Sequence, residues 1–198
     1  MSKTRIIIIS VIAVVLICIL CFLISAIVLT PKADKIKPDN SIESYFITNP
    51  SYIDYQEGND CSAYAAAYVL RCLNKSVTGR ELYPEMQRYF GMMTARSVVS
   101  VLEKQGCAAK AYHGNIATLK QRLNRGNPII CFIKNGGDTH YVVAVGYDKE
   151  YIYVVDSIKE NSNVSENKLY NRKVEIGNFE ALWKNNFYFV NNIYIAVE

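Results

Sequence analysis

The sequence predicts an α+β domain carried behind one long apolar helix, and three observations predict it. A stretch without a single charge runs from Arg5 to Lys32, "IIIISVIAVVLICILCFLISAIVLTP". The first half of the remaining chain has helical texture, either Ala-rich or with apolar residues three and four apart. The second half breaks into β-branched and aromatic runs separated by Gly, Asp and Lys. Helices first and a mainly antiparallel sheet afterwards is an α+β order.

The apolar run exceeds the roughly 20 residues that a helix needs to cross a bilayer core. A cleaved leader has a shorter apolar centre, of roughly 7–15 residues, and a small-residue cleavage site. No clear A-x-A site is present, so residues 6–30 are expected to be a retained transmembrane anchor behind a short tail, 1–5. No small-residue pair precedes Cys18 or Cys21, which read as apolar residues facing lipid. Lys3 and Arg5 before the run nearly balance Lys32, Lys35 and Lys37 after it. The very short tail and its signal-like layout put the bulk of the chain outside the cytoplasm. Residues 31–49 begin "PKADKIKPDNS", which is polar with two prolines and reads as a tether. Residues 50–198 then have the size of one ordinary domain.

The net charge of +4 is spread along the 198 residues with no basic block, so nucleic acid is not expected as a partner. Beyond the apolar run the cysteines are Cys61, Cys72, Cys107 and Cys131, and the only histidines are His113 and His140. Their spacing matches no zinc pattern, and no metal or other cofactor is expected. Cys131 sits in a core-like run, His113 reads as a surface residue, and Cys72 and Cys107 are open between core packing and a disulfide. Oligomeric state is likewise open.

Within the domain, "CSAYAAAYVLRCLN" has high helix propensity, and Asn59 or Asp60 precedes it as a cap. "TGRELYPEMQRYFGMM" starts on Thr78 but contains Pro84, so a short or broken helix is expected. "TARSVVSVLEKQG" reads as a helix from a Thr94 cap to a Gly106 stop, with Val98, Val101 and Leu102 as its stripe. "CAAKAYH" is a strand and "NIATLKQRLNRG" an amphipathic helix. "PIICFIK", "HYVVAVGYD", "YIYVVDS", "FYFV" and "IYIAVE" are strands, with a helical turn or two at "FEALWKN".

Cys61 at the mouth of its helix admits three readings: a buried small residue, half of a disulfide, or a nucleophile. Unpaired amides and the dipole at a helix start favour a thiolate. His140 comes after the Gly-rich "NGGDT" and opens one strand, and Asp156 closes the next. The connection between them, "YDKE", is of hairpin length, which brings His140 and Asp156 to the same edge of a sheet. Cys61 as nucleophile, His140 as general base and acid, and Asp156 as orienter then form a coherent set. Gln56 and the Cys61 amide would hold an oxyanion. Asp60 opposes a thiolate, so its side chain is expected to turn to the helix cap or to solvent.

"QEGNDCSAYAAAYVLR", "GDTHYVVAVGYD" and "YIYVVDS" resemble the signature segments of the C39-like, papain-fold cysteine peptidases, the bacteriocin-processing type and its stand-alone relatives. "LKQRLNRGNPIICFI" is similar to the segment before their histidine strand, and Phe179 with Trp183 is familiar near their end. The resemblance spans Tyr52 to Trp183. It implies a papain-like fold, a helical half bearing Cys61 and a sheet half bearing His140. It also implies a Cys61–His140–Asp156 triad with Gln56 at the oxyanion hole, and a peptide or protein substrate. Two positions depart from the family pattern. Ser62 stands where Gly usually comes after the nucleophile, and Gln56 lies five rather than six residues before it. The expected activity is hydrolysis of peptide bonds through a thioester, in the processing of peptide precursors. The alternatives are acyl transfer on the same fold, or an inactive tethered binding domain.

Overall fold

The computed structural model describes residues 3–39, 41–89, 91–165, 167–184 and 190–198. The chain divides after Thr30 into a lone helix and a compact unit that starts at Pro31. The helix, α1 (Lys3–Leu29), has 27 residues. At about 1.5 Å per residue it is about 40 Å long, more than a bilayer core needs. By length and composition it is able to cross a membrane.

The compact unit opens with two short strands, β1 (Lys32–Ala33) and β2 (Tyr45–Phe46). The helix α2 (Cys61–Cys72) is next. Its alanines let it lie close against the sheet, and Ala63, Ala66 and Ala67 are wholly buried. It ends where Asn74 takes φ 61, a left-handed position that Asn tolerates better than most residues. α3 (Gly79–Leu82) starts on a Thr78/Glu81 capping box. The chain then passes into a 3-10 turn, Tyr83–Glu85, with Pro84 inside it, which is the expected broken helix. α4 (Ala95–Lys104) starts on a Thr94/Ser97 box and buries Val98, Val101 and Leu102.

Beyond α4 come β3 (Ala109–His113), α5 (Ile116–Leu123) capped by Asn115, β4 (Ile129–Asn135), β5 (Asp138–Tyr147) and β6 (Tyr151–Val155). β7 (Arg172–Glu175), α6 (Ile176–Trp183) and β8 (Ile193–Val197) complete the unit. The sheet order is β1-β3-β8-β4-β5-β6-β7, with β2 added alongside β5. Among the described residues every pairing is antiparallel except β1 with β3. The strand expected at "FYFV" lies, apart from Val190, outside the described residues.

The helices cover both faces of this sheet. On β4, Ile130 and Phe132 pack in the same core as α2 and α4, while Ile129, Cys131 and Ile133 pack with α5 and α6. A strand buried on both sides has no polar face, which is why "PIICFIK" reads as an unbroken apolar run.

The expectation of a tether over 31–49 needs correction. β1 pairs with β3, β2 pairs with β5, and the Ile47 amide donates to the Val145 carbonyl at 2.9 Å. Asp34 holds Arg122 through two hydrogen bonds, to Nε at 2.8 Å and Nη2 at 2.9 Å, with both side chains buried. The Tyr194 hydroxyl donates to the same carboxylate. Polarity alone suggested a solvated linker, but the charge of Asp34 is consumed by a buried partner 88 positions away. The compact unit thus takes in these residues from Pro31 onward.

This pair yields a stability prediction. Arg122→Met leaves the Asp34 carboxylate buried without its cation, and breaking such a pair costs about 3–5 kcal/mol. Urea unfolding of the full chain in detergent is expected to register that loss. D34N/R122M, which removes the buried charge at position 34 and leaves only the partly exposed Glu198 carboxylate short of Arg122, is expected to recover part of it.

Candidate active site

The β5–β6 hairpin builds the centre of the site. Its register pairs Val143 with Val155, and one step further along sets Val142 opposite Asp156. His140 is then the diagonal neighbour of Asp156, a separation that long side chains span. The bond forms: His140 Nε2 lies 2.7 Å from Asp156 Oδ1, and both side chains are buried. His140 is the third residue of β5 rather than its first, because the β4–β5 hairpin closes tightly at Gly136 and Gly137. Gly136 has φ 62, a turn conformation that glycine adopts without strain.

Asp156 accepts from four groups. Beside His140, the Ile158 amide reaches Oδ1 at 2.9 Å, and Asn161 Nδ2 reaches Oδ2 at 3.0 Å. Arg172 Nη1 reaches Oδ2 at 2.8 Å. The Asn171 side chain bonds both the amide and the carbonyl of residue 156. Sequence reasoning missed Asn161, Asn171 and Arg172. They lie on and beyond a long loop after β6, and no spacing in the sequence links them to Asp156.

Cys61 is the first residue of α2 and is half-buried. Asp60 stands at the N-cap, yet its side chain makes no cap hydrogen bond. Its Oδ1 accepts from the Gly58 amide at 3.3 Å, so the carboxylate turns back into the loop instead of capping the helix. Its carbonyl accepts from Ala63 and Tyr64. Ser62 is buried, and its hydroxyl donates to Met86 Sδ.

Cys61, His140 and Gln56 line one cleft of about 350 Å³. The structure thus brings all four expected residues together, with Asp156 sealed behind His140. Gln56 is fastened from behind: its amide donates to the Ser157 carbonyl at 2.9 Å, and the Ser157 hydroxyl donates to its Oε1 at 2.7 Å. Its Nε2 donates to the Gly58 carbonyl. His113 is elsewhere, paired on β3 with Ile193. Cys72, Cys107 and Cys131 are buried free thiols, so the disulfide left open for Cys72 and Cys107 is absent. Among the described residues no group of three His, Cys, Asp or Glu is placed to hold a metal.

The electrostatics are set by this packing. Burial disfavours a charged His140, but hydrogen bonds to Asp156 and Cys61, and the charges of both, outweigh it and raise the imidazole to about 9. With Nε2 taken by Asp156, Nδ1 is the nitrogen left for the thiol. Burial would also raise Asp156. The bond and charge of His140, the Ile158 amide and Arg172 outweigh burial and hold the carboxyl below its usual range. An imidazole protonated at neutral pH between a thiol and a carboxylate is equipped to move a proton to and from sulfur chemistry.

Residues 46–188 match the Peptidase_C39 like family. The chain belongs to that family. The solved structures agree on the C39 peptidase fold. A protein described as a C39-like peptidase from Bacillus anthracis superposes with TM-score 0.60 at 17% identity, over 79% of this chain and 98% of that one. A double glycine motif protease from an AMS/PCAT transporter, solved with its leader peptide, gives 0.56 at 20% identity, over 82% and 98%. The peptidase domain of Streptococcus ComA, a bifunctional ABC transporter of a quorum-sensing pathway, gives 0.57 at 17%, over 74% and 98%. No curated protein matches the sequence significantly. The papain-like α+β architecture expected from the sequence is therefore the fold of this C39 domain.

The buried pair sets a pH window for stability. The raised His140 contributes stability that is full below its ordinary 6.5 and is lost as pH rises through about 9. The lowered Asp156 contributes above its ordinary 3.8 and loses that contribution as pH falls through its depressed value. Unfolding midpoints are expected to be highest between these limits and to decline toward about pH 9. Asp156→Asn is expected to remove most of the alkaline decline, seen by chemical denaturation at a series of pH values.

Proposed function

We propose that the domain is a cysteine peptidase that cleaves peptide bonds through a thioester. The observation that carries this reading is His140 sharing a cleft with the Cys61 thiol while Asp156 holds its far nitrogen. The Cys61 thiolate attacks the scissile carbonyl. The new oxyanion takes the backbone N–H of Cys61 and a side-chain N–H of Gln56. His140 gives its proton to the leaving amine, and the C–N bond breaks. Water then attacks the thioester, His140 removes one of its protons, and the acid leaves as the thiolate reforms. Asp156 keeps the imidazole oriented and steadies its charge throughout.

A peptide precursor is the substrate class that best suits the reading. The AMS/PCAT protease of the same fold was solved with a leader peptide, and an extended peptide fits an open cleft at the end of a sheet. In this reading α1 is a single-pass anchor and the domain works outside the cytoplasm. Acyl transfer uses the same groups and differs only in whether an amine or water takes the acyl group. A tethered binding domain is the second reading. One observation favours it: one of the two Gln56 Nε2 hydrogens is engaged with the Gly58 carbonyl, which leaves a single N–H for an oxyanion.

Iodoacetamide at neutral pH is expected to alkylate Cys61 well ahead of the buried thiols, and H140A is expected to abolish that preference. Uniform slow labelling of all cysteines would sink the nucleophile assignment. Cys61→Ser is expected to cut turnover of a cleaved peptide by at least about a thousandfold, since removing a nucleophile removes most of the catalysis. Mass analysis with an added amine distinguishes hydrolysis from transfer. A reporter fused at the C-terminus reads topology, and a cytoplasmic signal would overturn the proposed orientation.

A further inference from the structure

Asp156 meets its two charged partners, His140 and Arg172, on different oxygens. Oδ1 faces His140, and Oδ2 is held by Arg172 at 2.8 Å and Asn161 at 3.0 Å. The Arg172 side chain is largely buried at 16% exposure, and Asp156 is wholly buried. Arg172 begins β7, which pairs with β6, and Val154 opposite it lies two residues before Asp156. A guanidinium fixed by strand pairing next to a sealed carboxylate is a built arrangement and not a surface contact.

We propose that Arg172 is a positioning residue that acts through Asp156. It locks the carboxylate so that Oδ1 alone is offered to His140, and it shares the carboxylate's charge so that the imidazole proton stays transferable. The inference rests on the peptidase reading and deepens it. A buried carboxylate whose only cation was the imidazolium would grip that proton harder, because in a low-dielectric site an unshared charge acts at full strength. Among the described residues the main ionisable groups acting on Asp156 are His140 from β5 and Arg172 from β7, and those acting on His140 are Asp156 and Cys61 from α2. Asn161 supplies a neutral donor and does not share charge, so the role falls to Arg172.

The test is the titration of His140 in the full chain in detergent micelles, monitored by NMR of the imidazole C–H. Only one other histidine, His113, is present to resolve. The wild-type transition is expected near 9. Arg172→Gln keeps a donor for Oδ2 but removes the charge. It is expected to raise the His140 transition by at least about one pH unit, a tenfold tighter hold on the proton. R172K restores the charge and is expected to return the transition to within a few tenths of wild type. A transition that is unchanged or lowered in folded R172Q overturns the proposal. Should R172Q fail to fold for want of its counter-charge, D156N/R172Q is expected to fold, and its failure to do so overturns the proposal. A His140 transition that Asp156→Asn leaves in place would instead refute the His140–Asp156 pairing behind the peptidase reading, so the two failures are distinguishable.

Discussion

A carboxylate with no solvent exposure stays ionised only when donors surround it, and Asp156 imposes that condition on the second half of the domain. His140 must come from β5, the Ile158 amide from the chain just past β6, Asn161 from the 3-10 turn beyond, and Arg172 from β7. Asn171 ties down the backbone of residue 156 from both sides. The loop between β6 and β7 is therefore not a free connection. Its two ends close on one residue, and β7 is the edge strand that delivers the last donor.

The parts of this arrangement that depend on local pattern were legible in the sequence. A four-residue connection between two strands implies a hairpin, and a hairpin implies that His140 meets Asp156. Thr78, Thr94 and Gly106 mark helix ends through chemistry confined to one turn. What was not legible depends on partners distant in sequence. Arg172 lies 16 residues from Asp156 and Asp34 lies 88 from Arg122, and neither pairing leaves a periodicity or motif. The segment 31–49 shows the limit plainly. Its charges and prolines fit a solvated tether until Arg122 is known to need Asp34. β1 and β2, at two residues each, are too short to carry any alternation.

The sheet explains why a small domain tolerates so much buried polarity at one end. Both faces are covered by helices, so apolar burial on β4 and β5 is continuous, and the polar cluster is confined to the strand ends where the hairpin opens. Donors can converge there from loops without interrupting a ladder. α2 reaches the same end with its first turn. The Cys61 and Ser62 amides at its start have no helical carbonyl four residues back, and Cys61 is the side chain beside them. Thiol and imidazole thus meet because a helix start and a strand start share one end of the sheet.

The two departures from the family pattern have different weights in this geometry. Ser62 replaces a glycine, but its hydroxyl is buried and directed to Met86, so it adds no unpaired polar group beside Cys61. The interval between Gln56 and Cys61 runs through an exposed loop at Gly58. What holds Gln56 at the cleft is Ser157, which bonds both its backbone and its side chain. Ser157 sits directly after Asp156, so the strand end that presents the carboxylate to His140 also anchors the glutamine. Spacing along the chain is then a weaker constraint than attachment to that strand end, and a glutamine five residues before the thiol reaches the same cleft.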